Sequence, residues 1–227
     1  MNDRQLEIIQ TVVAMFNAAP GAHYLNEFAA FLGSTGSSVK ELANLLAQTD
    51  VFKQSLYTDA LSHSEFAYQF VNNTVGLLAS NKEKIWAASE IEKMLKTGAS
   101  RGDVIYWAAT ALTAVDFSNI PWGKAAQRFN HQIEAAAYYS INQGGSATSL
   151  SVLQRIIEEI TDDITTLAAT KALLASGATG KVIDGYVKEA FVFADLNGNR
   201  SHDLGEKSTI TNALGNFLYW VSTVLVS

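Results

Sequence analysis

One periodicity governs most of this chain. From Arg4 to about Ser176 apolar residues recur every three or four positions, broken by short clusters of small residues. That spacing puts the apolar side chains on one stripe of a helix, and each stripe must pack against something. Leu6, Ile9, Val12, Val13 and Phe16 form the first stripe, with Pro20-Gly21 expected to end that helix. Tyr24, Leu25, Phe28, Phe31 and Leu32 form the second, stopped by Gly33-Ser34-Thr35-Gly36. Ser38-Val39-Lys40-Glu41 then has the pattern of a capping box ahead of Leu42, Leu45 and Leu46. Further helices are predicted around 64–78, 81–96, 100–115, 122–142, 149–159 and 163–175, with Gly98, Pro121 and Gly144-Gly145-Ser146 between them. Alanine fills many of these positions, which favours helix and lets neighbours approach closely.

A short internal repeat lies inside this helical region. Thr35-Gly36-Ser37-Ser38-Val39-Lys40-Glu41-Leu42 aligns with Thr97-Gly98-Ala99-Ser100-Arg101-Gly102-Asp103-Val104. In both copies an apolar helix runs into a Thr-Gly turn, a Ser caps the next helix and an acid follows three positions later. Two copies of a helix–turn–helix unit account for this pattern. Beyond Ser176 the texture changes: Val182–Val187, Ala190–Ala194, Ser208–Asn212 and Asn216–Val221 are rich in β-branched and aromatic residues. The fold expected is therefore mainly α, an antiparallel helical stack built from helix–turn–helix repeats, with a small C-terminal β element. The boundaries are 1–176 for the helical domain, divisible into 1–80 and 81–176, and 177–227 for the β segment. The apolar residues that close the β segment would be sticky unless paired, which suggests a piece of a longer protein.

Composition narrows the chemistry. With no Cys there is no disulfide framework, no Cys-ligated zinc, no iron–sulfur cluster and no thiol nucleophile. A net charge of −6 offers no basic footprint for a nucleic-acid backbone, so no nucleic-acid partner is expected. At 48% hydrophobic and 17% charged the chain has the makings of a real core and is not disordered. The start Met1-Asn2-Asp3-Arg4 lacks the basic and apolar regions of a secretory signal. The two longest charge-free runs carry Asn, Gln, Gly, Ser or Thr, so no membrane span is expected.

The sharpest motif is Asp195-Leu196-Asn197-Gly198-Asn199-Arg200-Ser201-His202-Asp203-Leu204-Gly205-Glu206. Asp195, Asn197, Asn199, Ser201, Asp203 and Glu206 place oxygen donors at the spacing by which a twelve-residue loop wraps a calcium ion. Hard oxygen ligands without His or Cys suit calcium, the cofactor expected. Arg200 stands where such loops usually have Gly, and His202 where they usually have an apolar residue. The flanks read as extended, so a calcium loop in a β setting is expected rather than an EF-hand.

Other groups point less sharply. Arg101-Gly102-Asp103 matches an integrin-binding tripeptide, but Asp103 falls where the repeat places a first-turn acid at the positive end of a helix. His23, His63, His131 and His202 show no metal-pair spacing and read as surface or capping residues. Trp86, Tyr106, Trp107, Trp122, Tyr138 and Tyr139 include candidates for a sugar-stacking platform, although aromatics at helical spacing usually serve a core. Glu158-Glu159 with Asp162-Asp163 forms an acidic cluster.

Met15 to Leu25, followed by Gly36-Ser37-Ser38 and Leu42-Ala43-Asn44-Leu45-Leu46-Ala47, resembles the DUF4214 type of helical repeat of bacterial secreted and surface-layer proteins. The stretch around Gly98 to Ala109 is similar but more degenerate. The segment Asp195 to Phe217 resembles the opening of calcium-binding β domains of bacterial adhesins. The resemblance implies the N-terminal module of a secreted surface-layer or RTX-like protein, located outside the cell on the bacterial surface. It would leave through one-step export, anchor to cell-surface polysaccharide, self-associate, and use calcium to order a lattice. Two other readings stay open. One is an accessory or catalytic domain of a secreted polysaccharide-active enzyme, using Glu158 with Asp162 or Asp163. The other is an intracellular helical adaptor that binds a partner protein.

Overall fold

The computed structural model describes residues 1–176, 178–181, 189–193, 202, 208–211 and 216–219. Its helices are α1 (Asp3–Phe16), α2 (Gly21–Thr35), α3 (Val39–Leu46), α4 (Asp50–Ser55), α5 (His63–Val75), α6 (Asn81–Lys96), α7 (Arg101–Thr113), α8 (Gly123–Ala137), α9 (Leu150–Glu158) and α10 (Ile164–Ser176). A 3₁₀ turn extends α5 through Gly76–Leu78, and a π turn extends α8 through Tyr138–Asn142. None of the described helices is long and apolar enough to cross a membrane.

Local chemistry explains many of the helix starts. Asn2, Ser38, Ser62, Ser80 and Ser100 each accept a first-turn N–H, and the acid or Gln three positions on reaches back to the cap. Each box satisfies two of the backbone donors that a helix start leaves without partners. The repeated Thr-Gly turns also look alike: Gly36 has φ 70° and Gly98 φ 100°, a region that a side chain would strain.

Two boundaries differ from the expected ones. α1 stops at Phe16 because Asn17 takes the left-handed conformation, φ 49° and ψ 44°. Pro20-Gly21 begins α2 rather than ending α1. The short α4, capped by Thr49, has too few turns to show a period in sequence.

α1 is the central helix. From Ile8 to Phe16 every residue but Gln10 is buried, including Thr11, so it has a buried girth rather than a single stripe. α2, α3, α7 and α8 surround it. Further out, α5 pairs with α6, α3 with α7, and α8 with α9 and α10. An aromatic nest joins α1, α4 and α5: Phe52 and Tyr57 lie 5.1 Å apart, Tyr57 and Phe66 5.2 Å, and Phe16 and Phe52 6.0 Å. Pairs at such distances add about 0.5–1.5 kcal/mol each beyond the area they bury.

The C-terminal β element has strands β1 (Ala178–Lys181), β2 (Phe191–Phe193), β3 (Ser208–Ile210) and β4 (Asn216–Tyr219). They form two antiparallel pairs, β1 with β4 and β2 with β3. In register, Ala178 opposes Tyr219 and Phe191 opposes Ile210, so the β2–β3 pair is nested in sequence inside the β1–β4 pair.

Candidate functional site

Asp195, Asn197, Asn199, Ser201, Asp203 and Glu206 lie outside the described residues. The strands on either side are described: Phe193 of β2 opposes Ser208 of β3, so the calcium-type motif falls in the connection between two antiparallel strands. Its flanks are extended rather than helical, as expected. Within the motif only His202 is described. Its ring stands edge-on to Phe191 at 5.2 Å and against Phe193 at 5.6 Å, so here the imidazole does the packing an apolar residue usually does. Among the described residues no group of three or more His, Asp or Glu is arranged to hold a metal.

The Arg101-Gly102-Asp103 tripeptide is taken up by the fold. The Arg101 guanidinium donates to the carbonyls of Tyr57 (3.2 Å), Thr58 (3.0 Å) and Leu61 (3.0 Å) and lies 4.7 Å over the Phe66 ring. Burial pushes its pKa down, with Asp59 acting the other way. Gly102 sits where α7 crosses α3, and a Cβ there would come within 2.6 Å of the Asn44 backbone nitrogen. Asp103 accepts from the Asn44 amide at 3.0 Å and pairs with Lys40 at 3.3 Å. The Ser100 hydroxyl also bonds Asn44. Burial acts to raise the Asp103 pKa, but the Ser100 N–H, Asn44, Lys40 and the Ser100 hydroxyl outweigh it and hold the carboxyl at about 2.

The acidic cluster has structural work as well. The Thr165 N–H donates to Asp163 at 2.9 Å, and this bond holds the Asp163 carboxyl below the usual carboxylate range. That is the opposite of the raised pKa a general acid requires. Asp162 pairs with Lys124 at 3.6 Å, while Glu158 and Glu159 are exposed. Of the histidines, His23, His63 and His202 are exposed, but His131 is buried with Nδ1 3.0 Å from the Thr161 carbonyl, contrary to its surface reading.

Three of the six aromatics singled out in sequence come together. Trp86, Trp107 and Trp122 ring a groove of about 270 Å³ floored by Phe70, Val71 and Ile91. Trp86 and Trp122 are 6.2 Å apart, and Trp86 and Trp107 are 59% and 45% exposed. Thr74 and Glu90 are the polar members of its wall. Sugar stacking needs polar groups around a flat ring, so this groove suits an apolar partner better than a sugar. Tyr139 is buried, and Tyr138 carries Lys171 over its ring.

A second cavity, about 240 Å³, opens beside the C-terminus of α1 and was not foreseen from sequence. Asn17, Tyr57, Asn73, Gln132 and Gln154 line it, from the C-cap of α1, the loop after α4, and helices α5, α8 and α9. The Gln154 amide donates to the Phe16 carbonyl (2.9 Å), Gln132 to Ile157 (3.4 Å) and Asn73 to the Tyr57 phenol (3.2 Å). Burial pushes the Tyr57 pKa up to about 12, against the effect of the Asn73 bond, so the phenol is neutral. Isolated Asn and Gln codons of meaning do not exist in sequence; the left-handed Asn17, a residue type tolerant of that conformation, was the one available signal.

Comparisons with protein-family models, with curated proteins and with solved structures find no match for this chain.

Proposed function

We propose that the chain is a non-enzymatic anchoring and assembly module of the bacterial surface-layer kind, acting outside the cell. In this reading the helical body binds cell-surface polysaccharide and neighbouring copies, and calcium orders the β segment. The observation that carries it is the exposed tryptophan groove: apolar surface of this kind on a helical scaffold marks a contact site. Self-association through that groove fits the assembly role. The calcium part is supported by the antiparallel β2–β3 pair on either side of the oxygen-rich motif.

The mechanism is linkage. Calcium that binds the folded loop and not the unfolded chain stabilises the fold by about 2.7 kcal/mol when present at a hundred times its Kd. Calorimetry in calcium and in chelator tests it. The melting temperature is expected to rise with calcium in the parent chain and to stay still in Asp195→Ala and Glu206→Gln. An unchanged melting temperature in the parent removes calcium from the reading. Sedimentation of the chain with and without Trp86→Ser and Trp107→Ser tests assembly, and a pull-down on isolated surface polysaccharide tests anchoring.

A further inference from the structure

The cavity beside α1 has a chemistry of its own. No Asp, Glu, Lys, Arg or His lines it. A charged ligand would lose its hydration there without a counter-charge, at large cost. A purely apolar ligand would cover the Gln132 and Gln154 amides and leave their oxygens without donors, which is also costly.

The hydrogen bonds set what a ligand must offer. Gln132, Gln154 and Asn73 already use their amide nitrogens on the Ile157 carbonyl, the Phe16 carbonyl and the Tyr57 phenol. Among the described residues nothing donates to their side-chain oxygens. Gln132 is 2% exposed, yet Ser140 Oγ is the fully enclosed side-chain polar atom left without a partner among them. The Gln132 oxygen therefore keeps access to open space, and the cavity is the space this residue lines. The Tyr57 phenol accepts from Asn73 and retains its own proton to give. The cavity thus offers these three amide oxygens as acceptors and the neutral Tyr57 phenol as a donor. Beside them stand the Asn17 side-chain amide and the Thr74 hydroxyl, which gives its proton to the Phe70 carbonyl (2.9 Å), and the apolar lining includes Met15, Phe16 and Phe129.

From this we infer that the cavity binds one uncharged, hydroxyl-rich ring, a single neutral sugar residue. Hydroxyl groups donate to the three amide oxygens, one ring or hydroxyl oxygen accepts from Tyr57, and the C–H face of the sugar lies on the apolar lining. The inference rests on the anchoring reading above, in that it names the sugar-binding part of it. A ligand of so few atoms is held at about millimolar Kd.

The test is a titration of the ¹⁵N-labelled full chain, watched through its side-chain amide resonances. The neutral probes are the methyl glycosides of glucose, mannose and galactose, and N-acetylglucosamine; the charged ones are glucuronate and glucosamine. At least one neutral probe is expected to shift the Gln132 and Gln154 amides, with the charged probes at least tenfold weaker. Gln132→Leu should weaken binding tenfold or more. Asn73→Ala, at an exposed position on α5, should do the same. The inference is overturned if no neutral probe moves these resonances, if charged probes bind equally, or if both variants bind like the parent. A chain that still binds isolated polysaccharide after such a failure keeps the anchoring reading and loses only this site. A chain whose cavity takes the free sugar but which ignores the polysaccharide keeps the site and loses the anchoring reading.

Discussion

The caps at Ser38–Glu41 and Ser100–Asp103 share one local design and serve different ends. Both Ser hydroxyls accept from the N–H three residues on, and both acids bond back to the Ser N–H. Glu41 stops there: its described bonds are all to Ser38, and these alone lower its pKa at an exposed position. Asp103 goes further, reaching Asn44 and Lys40 on the other copy's helix. The positions between diverge in the same way. Val39 and Lys40 in one copy correspond to Arg101 and Gly102 in the other, and the latter two tie α7 to the 57–61 loop and to α3. A motif readable in sequence can therefore be purely local in one copy and a tertiary joint in the other.

The largest expected break is Gly102→Ala. It wedges α7 off the α3 backbone and should cost about 3 kcal/mol, lowering the melting temperature by roughly 6–12 °C for a chain of this size. Lys40→Ala at the matching position of the first copy loses one exposed ion pair and should stay within about 0.5 kcal/mol. If the two alanines cost the same in calorimetry, the asymmetry between the copies is wrong.

Next comes Arg101→Ala, expected at about 2–3 kcal/mol because three backbone carbonyls lose a charged donor and Phe66 loses its cation. Arg101→Lys should recover little, since an ammonium cannot fork to Thr58 and Leu61 together. Denaturant titration of both variants measures this. Recovery of parental stability by Lys would reduce the guanidinium to a point charge.

Smaller again is the effect of acid. Because the Asp103 pKa is depressed in the fold, its contribution is complete above the unfolded value near 3.8 and is lost as the pH falls towards about 2. Asp103→Asn should remove about 1–2 kcal/mol at neutral pH and flatten that part of the stability profile. Glu41→Gln should change stability less than Asp103→Asn at the same pH. The smallest signal is the coupling of Asn44 with Asp103, read from a double-mutant cycle with alanine at each position and expected at about 0.5–1 kcal/mol. The matching cycle of Asn44 with Glu41 should read zero.

How much was legible follows from the same contrast. Helix periods, capping boxes and turn glycines depend on neighbours three or four positions away, so Ser38, Ser100, Gly36 and Gly98 announced themselves. The strands at 191–193 and 208–210 were visible for a similar reason, in their β-branched and aromatic runs. The end of α1 was misplaced because Pro20-Gly21 is a strong breaker in sequence, whereas Asn17 stops a helix only when its backbone turns left-handed. The polar cavity was invisible. Its residues 17, 57, 73, 132 and 154 are unremarkable one by one and have no spacing in common.

The sequence by itself determined a mainly helical body with a small β end, the caps that start its helices, and the absence of cysteine chemistry. These are properties of composition and of short-range hydrogen bonding. Only the tertiary structure decided that α1 is central, that Arg101-Gly102-Asp103 is internal mortar, that three tryptophans share a groove and that His131 is buried. Each of those depends on which helix faces which, and that is set by the packing of whole apolar surfaces rather than by any local pattern.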